Sequence, residues 1–178
     1  MSLIIKGQVW KFGDNISTDL MMPGFFRSQG LSEKELAKYV MYSNRPGWAD
    51  QVRQGDIIVA GRNWGCGSSR PAPRLFKELG IAGVVADSLS RLFFRNAVNI
   101  GFPVLICSGV SQSFEEGEEA EIDFEVGTVR NLTREAQLQG EAIAVDSPPY
   151  QILQAGGLRP FLEQVIASQA KNKTGGKG

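Results

Sequence analysis

The sequence predicts an α/β fold, a central mixed sheet with a parallel βαβαβ core, flanking helices and extra antiparallel strands. Three observations predict it. Residues 57–60, 82–85 and 104–107 are short, wholly apolar runs, as strands covered on both faces require. Helix-type segments around 74–79 and 89–97 separate them, so right-handed crossovers are expected to join parallel strands. Residues 119–126 (EAEIDFEV) then alternate acidic and apolar side chains, the pattern of a half-exposed antiparallel strand.

Taken in order, residues 3–12 (LIIKGQVWKF) carry β-type side chains and read as a strand, as in one arm of a hairpin. GDNISTD at 13–19 is a turn-rich loop in which Asp, Asn, Ser and Thr bond their own backbone. Ser32 and Glu35 form a capping box, and Leu36 with Val40 marks one face of a helix reaching about Met41, ended by NRPG at 44–47. A glycine-rich loop follows the first apolar run, and the next helix opens after Pro71 and Pro73. The second crossover helix leads through Gly101 into the third run. Gly127-Thr128 turns the alternating strand into 129–132; 141–145 is expected as a further strand and 160–170 as a closing helix. One domain is expected over 1–170, with 171–178 (KNKTGGKG) a disordered tail.

Composition narrows the function. Lys+Arg and Asp+Glu both total 19, so no basic excess exists to hold a phosphate backbone, and the cations are dispersed. No apolar stretch is long enough for a membrane span or a signal-peptide core, so a cytoplasmic location is expected. The absence of histidine rules out Ser-His and Cys-His couples made from this chain alone. Two cysteines, Cys66 and Cys107, fit a reducing compartment and are too few for an iron–sulfur cluster, which takes about four thiolates.

The segment with the most chemical content is GRNWGCGSSRP at 61–71, between a strand end and a helix start, where open α/β sheets bind ligands. Gly65 and Gly67 permit a sharp turn and a close approach to a ligand. The amides that follow these glycines, at or near a helix N-terminus, are expected to face an anion, and Arg70 adds a planar fork suited to a carboxylate. Other motifs fail. Arg70 stands where a dinucleotide fingerprint needs its third glycine, no Gly-Lys-Ser/Thr is present, and a nucleophile elbow at Ser68 would need glycine at 66 and 70. These residues therefore indicate a carboxylate or phosphate site, while Ser68 and Ser69, taken alone, read first as helix caps.

GRNWGCGSSR, followed by LGIAGVVADSLSRLFFRNAVNIGFPVL, resembles the swivel domain of the aconitase superfamily, and the earlier GDNISTD…PG resembles that family's other active-site loop in the same order. Length, motif order and the β-rich C-terminal third resemble the isopropylmalate dehydratase small subunits over roughly 4–165. The resemblance implies a subunit inactive alone, docked in a heterodimer or heterotetramer on a large subunit whose 4Fe-4S cluster binds the substrate hydroxyl and a carboxylate as a Lewis acid. It implies that Ser68 is the base removing a proton from carbon, that Arg70 grips a substrate carboxylate, and that Gly67 and Ser69 shape the anion pocket. Thr18 and Asp19 would position the first loop. With no histidine beside it, Ser68 would work as an alkoxide stabilised by amides and positive charge. No metal ligand is implied for this chain.

Two departures stand out. Pro71-Ala72-Pro73 replaces the acidic residue, and often histidine, that usually follows Ser-Ser-Arg. Phe25-Phe26 follows Pro23-Gly24 where an arginine is usual, with Arg27 next. The phenylalanines suit an apolar malate substituent, whereas Arg27 suits a third carboxylate as in homoaconitate; equally, both rings belong to the core and Arg27 to solvent. Cys66 reads as a packing residue, Arg91 and Arg95 as structural or interface residues before anion binders, and the acidic run 115–119 as a solvated turn.

The expected activity is a hydro-lyase of substituted malates, 3-isopropylmalate first, in leucine biosynthesis. Methyl- or dimethylmalate and homoaconitate are alternative substrates, and a non-catalytic carboxylate-binding subunit is an alternative from another class.

Overall fold

The computed structural model describes residues 3–22, 24–67 and 70–174, with side chains for all of these except Arg27 and 170–174. Seven strands form one sheet in the order β4-β3-β2-β1-β5-β6-β7. These are β1 (Ile4–Phe12), β2 (Ile57–Ala60), β3 (Gly83–Ala86), β4 (Val104–Ile106), β5 (Glu119–Asp123), β6 (Thr128–Asn131) and β7 (Ala136–Gln139). The expected βαβαβ unit is present, with α4 (Ala72–Leu79) and α5 (Arg91–Asn99) as its crossovers.

β1 differs from the hairpin arm expected of it. It is the pivot of the sheet, parallel to β2 through Val9↔Ile57 and antiparallel to β5 through Ile5↔Ile122. The parallel block therefore has four strands, and three short helices, α1 (Thr18–Met21), α2 (Gly24–Arg27) and α3 (Glu33–Ala37), lie on the connection from β1 to β2. α3 carries the expected capping box but stops short of Met41, which has φ 64°.

Two apolar layers cover the sheet, and alternate residues of β2 divide between them. Ile58 and Ala60 join Phe12, Trp64, Phe76 and Phe93 on one side. Ile57 and Val59 join Val9, Leu105, Phe114 and Phe124 on the other. All four β2 residues are buried, which is why the run is apolar throughout. Cys107 sits in the second layer, where burial pushes its thiol up to about 11; neither it nor Cys66 forms a disulfide.

The C-terminal third holds three corrections. Residues 141–145 form no strand, although the Glu141 and Ile143 amides donate to the Ile106 and Phe124 carbonyls. The last strand is instead β7, an exposed polar edge against β6. A helix absent from the expectation, α7 (Pro148–Gln154), is capped by Ser147 and starts on two prolines. α6 (Val110–Ser113) follows β4, and the closing helix α8 (Leu158–Thr174) runs into the stretch expected to be disordered from 171. Residues 175–178 lie outside the described residues.

Candidate active site

The carboxyl ends of β1, β2 and β3 present three loops, and backbone pairing fastens them side by side. Gly65 N–H donates to Ile16 O at 2.8 Å and Thr18 N–H to Cys66 O at 2.9 Å, a parallel bridge between Ser17 and Cys66. On the far side Trp64 N–H donates to Ser88 O at 3.0 Å, and Ser90 Oγ donates to Gly65 O at 2.6 Å. Trp64 anchors the loop from beneath, fully buried against Phe12, Phe76 and Phe93. The middle loop is thus held on both flanks and below before any ligand is present.

Charge reinforces the first pairing. Asp14 accepts from the Arg62 amide at 2.7 Å and forms an ion pair with its guanidinium at 2.9 Å. Arg62's backbone and side-chain hydrogen bonds hold the Asp14 carboxyl below its ordinary 3.8. A depressed carboxylate stabilises the folded chain above the unfolded value and stops doing so as pH falls through the folded one. Asp14→Asn therefore lowers the melting temperature near neutral pH. That deficit shrinks as pH drops below 3.8, which melting curves across the acid range would follow.

The two sequence motifs meet at Arg70. Its Nε lies 2.6 Å from Asp19 Oδ1, and its Nη1 donates to the Met22 carbonyl. Gly24 lies close to the same group: a Cβ there would stand 3.3 Å from Nη2. Asp19 is on α1, whose cap Ser17 accepts the Leu20 amide, so the parallel bridge that fixes Ser17 also fixes Asp19. Gly67, at φ 88°, adjoins this carboxylate; a Cβ there would lie 3.7 Å from Asp19 Oδ2. Thr18 is buried beside them. Gly67, Thr18, Asp19 and Arg70 therefore converge, while Ser68 and Ser69 lie outside the described residues.

At the α4 terminus itself few amides are free to face an anion. Pro71 and Pro73 carry no N–H, and Ala72 and Arg74 donate to Arg70 O and Pro71 O. The cap position of α4 is Pro71, with no side-chain hydrogen bond, and the helix-cap reading of Ser68 and Ser69 falls on residues outside those described. The Arg70 guanidinium is the cation at this junction.

Phe26 is half-buried, stacked on Tyr39 at 4.2 Å and edge-on to Tyr42, and Phe25 is 70% exposed, so neither ring belongs to the core. Arg27 closes α2, and its side chain lies outside the described residues. Sequence reasoning missed the Met22 carbonyl, the two serines that anchor the loop, Ser88 and Ser90, and Phe93, which fills the space beneath Gly65. Only Ser90 left a sequence signal, as a serine at the start of an amphipathic helix.

A buttressed arginine at the junction of two loops, on the carboxyl edge of a parallel sheet, defines an α/β domain suited to carboxylate binding. The aconitase C-terminal domain model matches residues 10–106, which hold both loops and the four parallel strands' core. The isopropylmalate/citramalate isomerase small subunit of Methanocaldococcus jannaschii is 44% identical over 170 residues, covering 94% of this chain and 98% of the relative. The methanogen homoaconitase small subunit of Methanothermobacter thermautotrophicus is 50% identical over 135 residues, 75% of this chain and 76% of the relative. A crystal structure of 3-isopropylmalate dehydratase from M. jannaschii superposes with TM-score 0.87 at 35% identity, over 95% of this chain and 99% of that one. The chain belongs to the aconitase C-terminal domain family, among the small subunits of 3-isopropylmalate dehydratase-type hydro-lyases.

Proposed function

We propose that this chain is the substrate-gripping half of a hydro-lyase that moves a hydroxyl between neighbouring carbons of a substituted malate, 3-isopropylmalate first. The observation that carries the reading is Arg70, held at Nε by Asp19 and at Nη1 by the Met22 carbonyl. Those contacts fix the plane of the guanidinium, so a carboxylate meets an oriented fork. Ser68, two residues before it, is proposed to take the proton from carbon at its Oγ. Ser69, Gly67 and Thr18 complete the pocket wall.

The chain itself does not fit a 4Fe-4S cluster, since it has two cysteines and no histidine. The reading therefore places the cluster on a large subunit, which the small-subunit names of the relatives imply, and assigns this chain the carboxylate and proton work. Acting as one swivel domain, the chain is inactive alone on this reading, and its compartment is the cytoplasm. Among the described residues no helix is long and apolar enough to cross a membrane.

Exposed Phe25 and the Phe26–Tyr39–Tyr42 cluster give the first loop an apolar surface, favouring an isopropyl or methyl substituent. Homoaconitate is the second reading, favoured by Arg27 and by the name of the 50% identical relative.

The test is to co-express the chain with the large subunit from the same genome, reconstitute the cluster anaerobically, and follow dehydration of a malate panel. The expected result is turnover on 3-isopropylmalate that disappears in Ser68→Ala while the complex still forms. A cluster-loaded complex inert on every substrate would overturn the reading and leave a non-catalytic carboxylate-binding subunit.

A further inference from the structure

Beside the third loop lies a groove of about 520 Å³ lined by Leu89, Arg91, Phe94, Arg95, Ile106 and Glu141. Its floor is apolar, from Leu89, Phe94 and Ile106, all only partly buried. Arg91 and Arg95 stand one turn apart on α5. Phe93, Ala97 and Val98 turn the opposite face of that helix into the core, so both arginines face outward.

Arg45, Arg62, Arg70, Arg74, Arg130, Arg134 and Arg159 each pair with a carboxylate, and Arg53 is, among the described residues, a lone unpaired arginine elsewhere on the surface. Arg91 and Arg95 pair with none among the described residues, even though Glu141 lines the same groove. Two unpaired guanidinium groups over an apolar floor present a surface complementary to carboxylates that flank an apolar side chain.

The loop that borders the groove is also tied to the glycine-rich loop. Leu89 bridges Trp64 of the glycine-rich loop, Ser90 grips Gly65, and Ile106 ends β4 on the carboxyl edge that presents Arg70. We infer that this groove docks an acidic segment of the large subunit, with its carboxylates on Arg91 and Arg95 and an apolar side chain on Leu89, Phe94 and Ile106. Glu141 on the rim repels a further carboxylate and so orients the segment. The inference rests on the two-subunit reading above and adds where the partner is held.

The test measures affinity between the full chain and the cluster-loaded large subunit for wild type, Arg91→Gln/Arg95→Gln and Arg91→Glu/Arg95→Glu. Removing unpaired surface charges costs the isolated chain little stability, which melting curves verify. Charge reversal is expected to weaken association on the order of 10²-fold, with the neutral pair between, and rising salt to weaken the wild-type complex. At saturating small subunit kcat is expected to be unchanged, since neither arginine touches substrate. Equal affinity for all three chains, while wild type turns over, would overturn the docking inference and leave the activity standing. Failure of the wild-type chains to associate would overturn both. Binding of free succinate or an apolar amino acid to the isolated chain, lost in the variants with subunit affinity intact, would make the groove a small-ligand site and overturn the docking inference alone.

Discussion

Replacing Arg70 by alanine in the assembled enzyme is expected to lower kcat/KM by about 10²–10³-fold, the usual loss when one preorganised donor to an anionic reacting group is removed. Arg70 is held at Nε by Asp19 and at Nη1 by the Met22 carbonyl, with Gly24 close to Nη2, so its orientation is set by the protein. A carboxylate gripped in both ground and transition states raises KM when its partner is lost, so much of the effect should appear there. Arg70→Lys keeps the charge and loses the fork. It cannot meet Asp19, the Met22 carbonyl and a carboxylate in one plane, and most of the loss is expected to persist. Asp19→Asn leaves Arg70 in place with a weaker hold and falls between wild type and Arg70→Ala. Steady-state kinetics on the three variants read this order directly.

Gly65→Ala is expected to be the most damaging small substitution for the fold. Gly65 has φ 74°, and a Cβ there would lie 2.4 Å from the Phe93 ring. Phe93 is buried against Trp64, and the α5 cap Ser90 holds the Gly65 carbonyl, so neither side can retreat without shifting α5. Backbone strain and overpacking together cost about 3 kcal/mol, a fall of roughly 6–12 °C in Tm for a chain of this size. Gly109→Ala is the control, with φ 84° and no atom within 4 Å of the added Cβ. It carries only the backbone cost, about 1–2 kcal/mol. Equal losses in the two variants would show that the Phe93 contact does not limit the loop.

These effects show where sequence reading succeeds and where it stops. The runs at 57–60 and 104–107 announced buried parallel strands because both their faces are covered. β1 announced a strand and hid its role. Its outer half alternates exposed and half-buried residues like a hairpin arm, while its partners, β2 and β5, are set by the whole topology. Residues 141–145 have the alternation of a strand, but they run beside β4 and β5 with isolated hydrogen bonds. The polar Ala136–Gln139 pairs instead, since an edge strand needs little apolar surface.

The site divides in the same way. Glycines and charges placed both loops at strand ends. The contact of Asp19 with Arg70 depends on the Ser17–Cys66 bridge, a pairing between distant segments with no local signature. Pro71 and Pro73 take two donors out of the first turn of α4, which is legible in the residues, while the amides of Ser68 and Ser69 lie outside the described residues.

On the proposed function, Arg70 and its loops form half of an active site that a large subunit completes. Titrating this chain into a fixed amount of cluster-loaded large subunit, and recording 3-isopropylmalate dehydration at each addition, tests it most directly. The account predicts negligible rate from either subunit alone and a rate that rises with added chain to a plateau. Full activity of the large subunit alone, or a mixture that stays inert after the complex has formed, would contradict it.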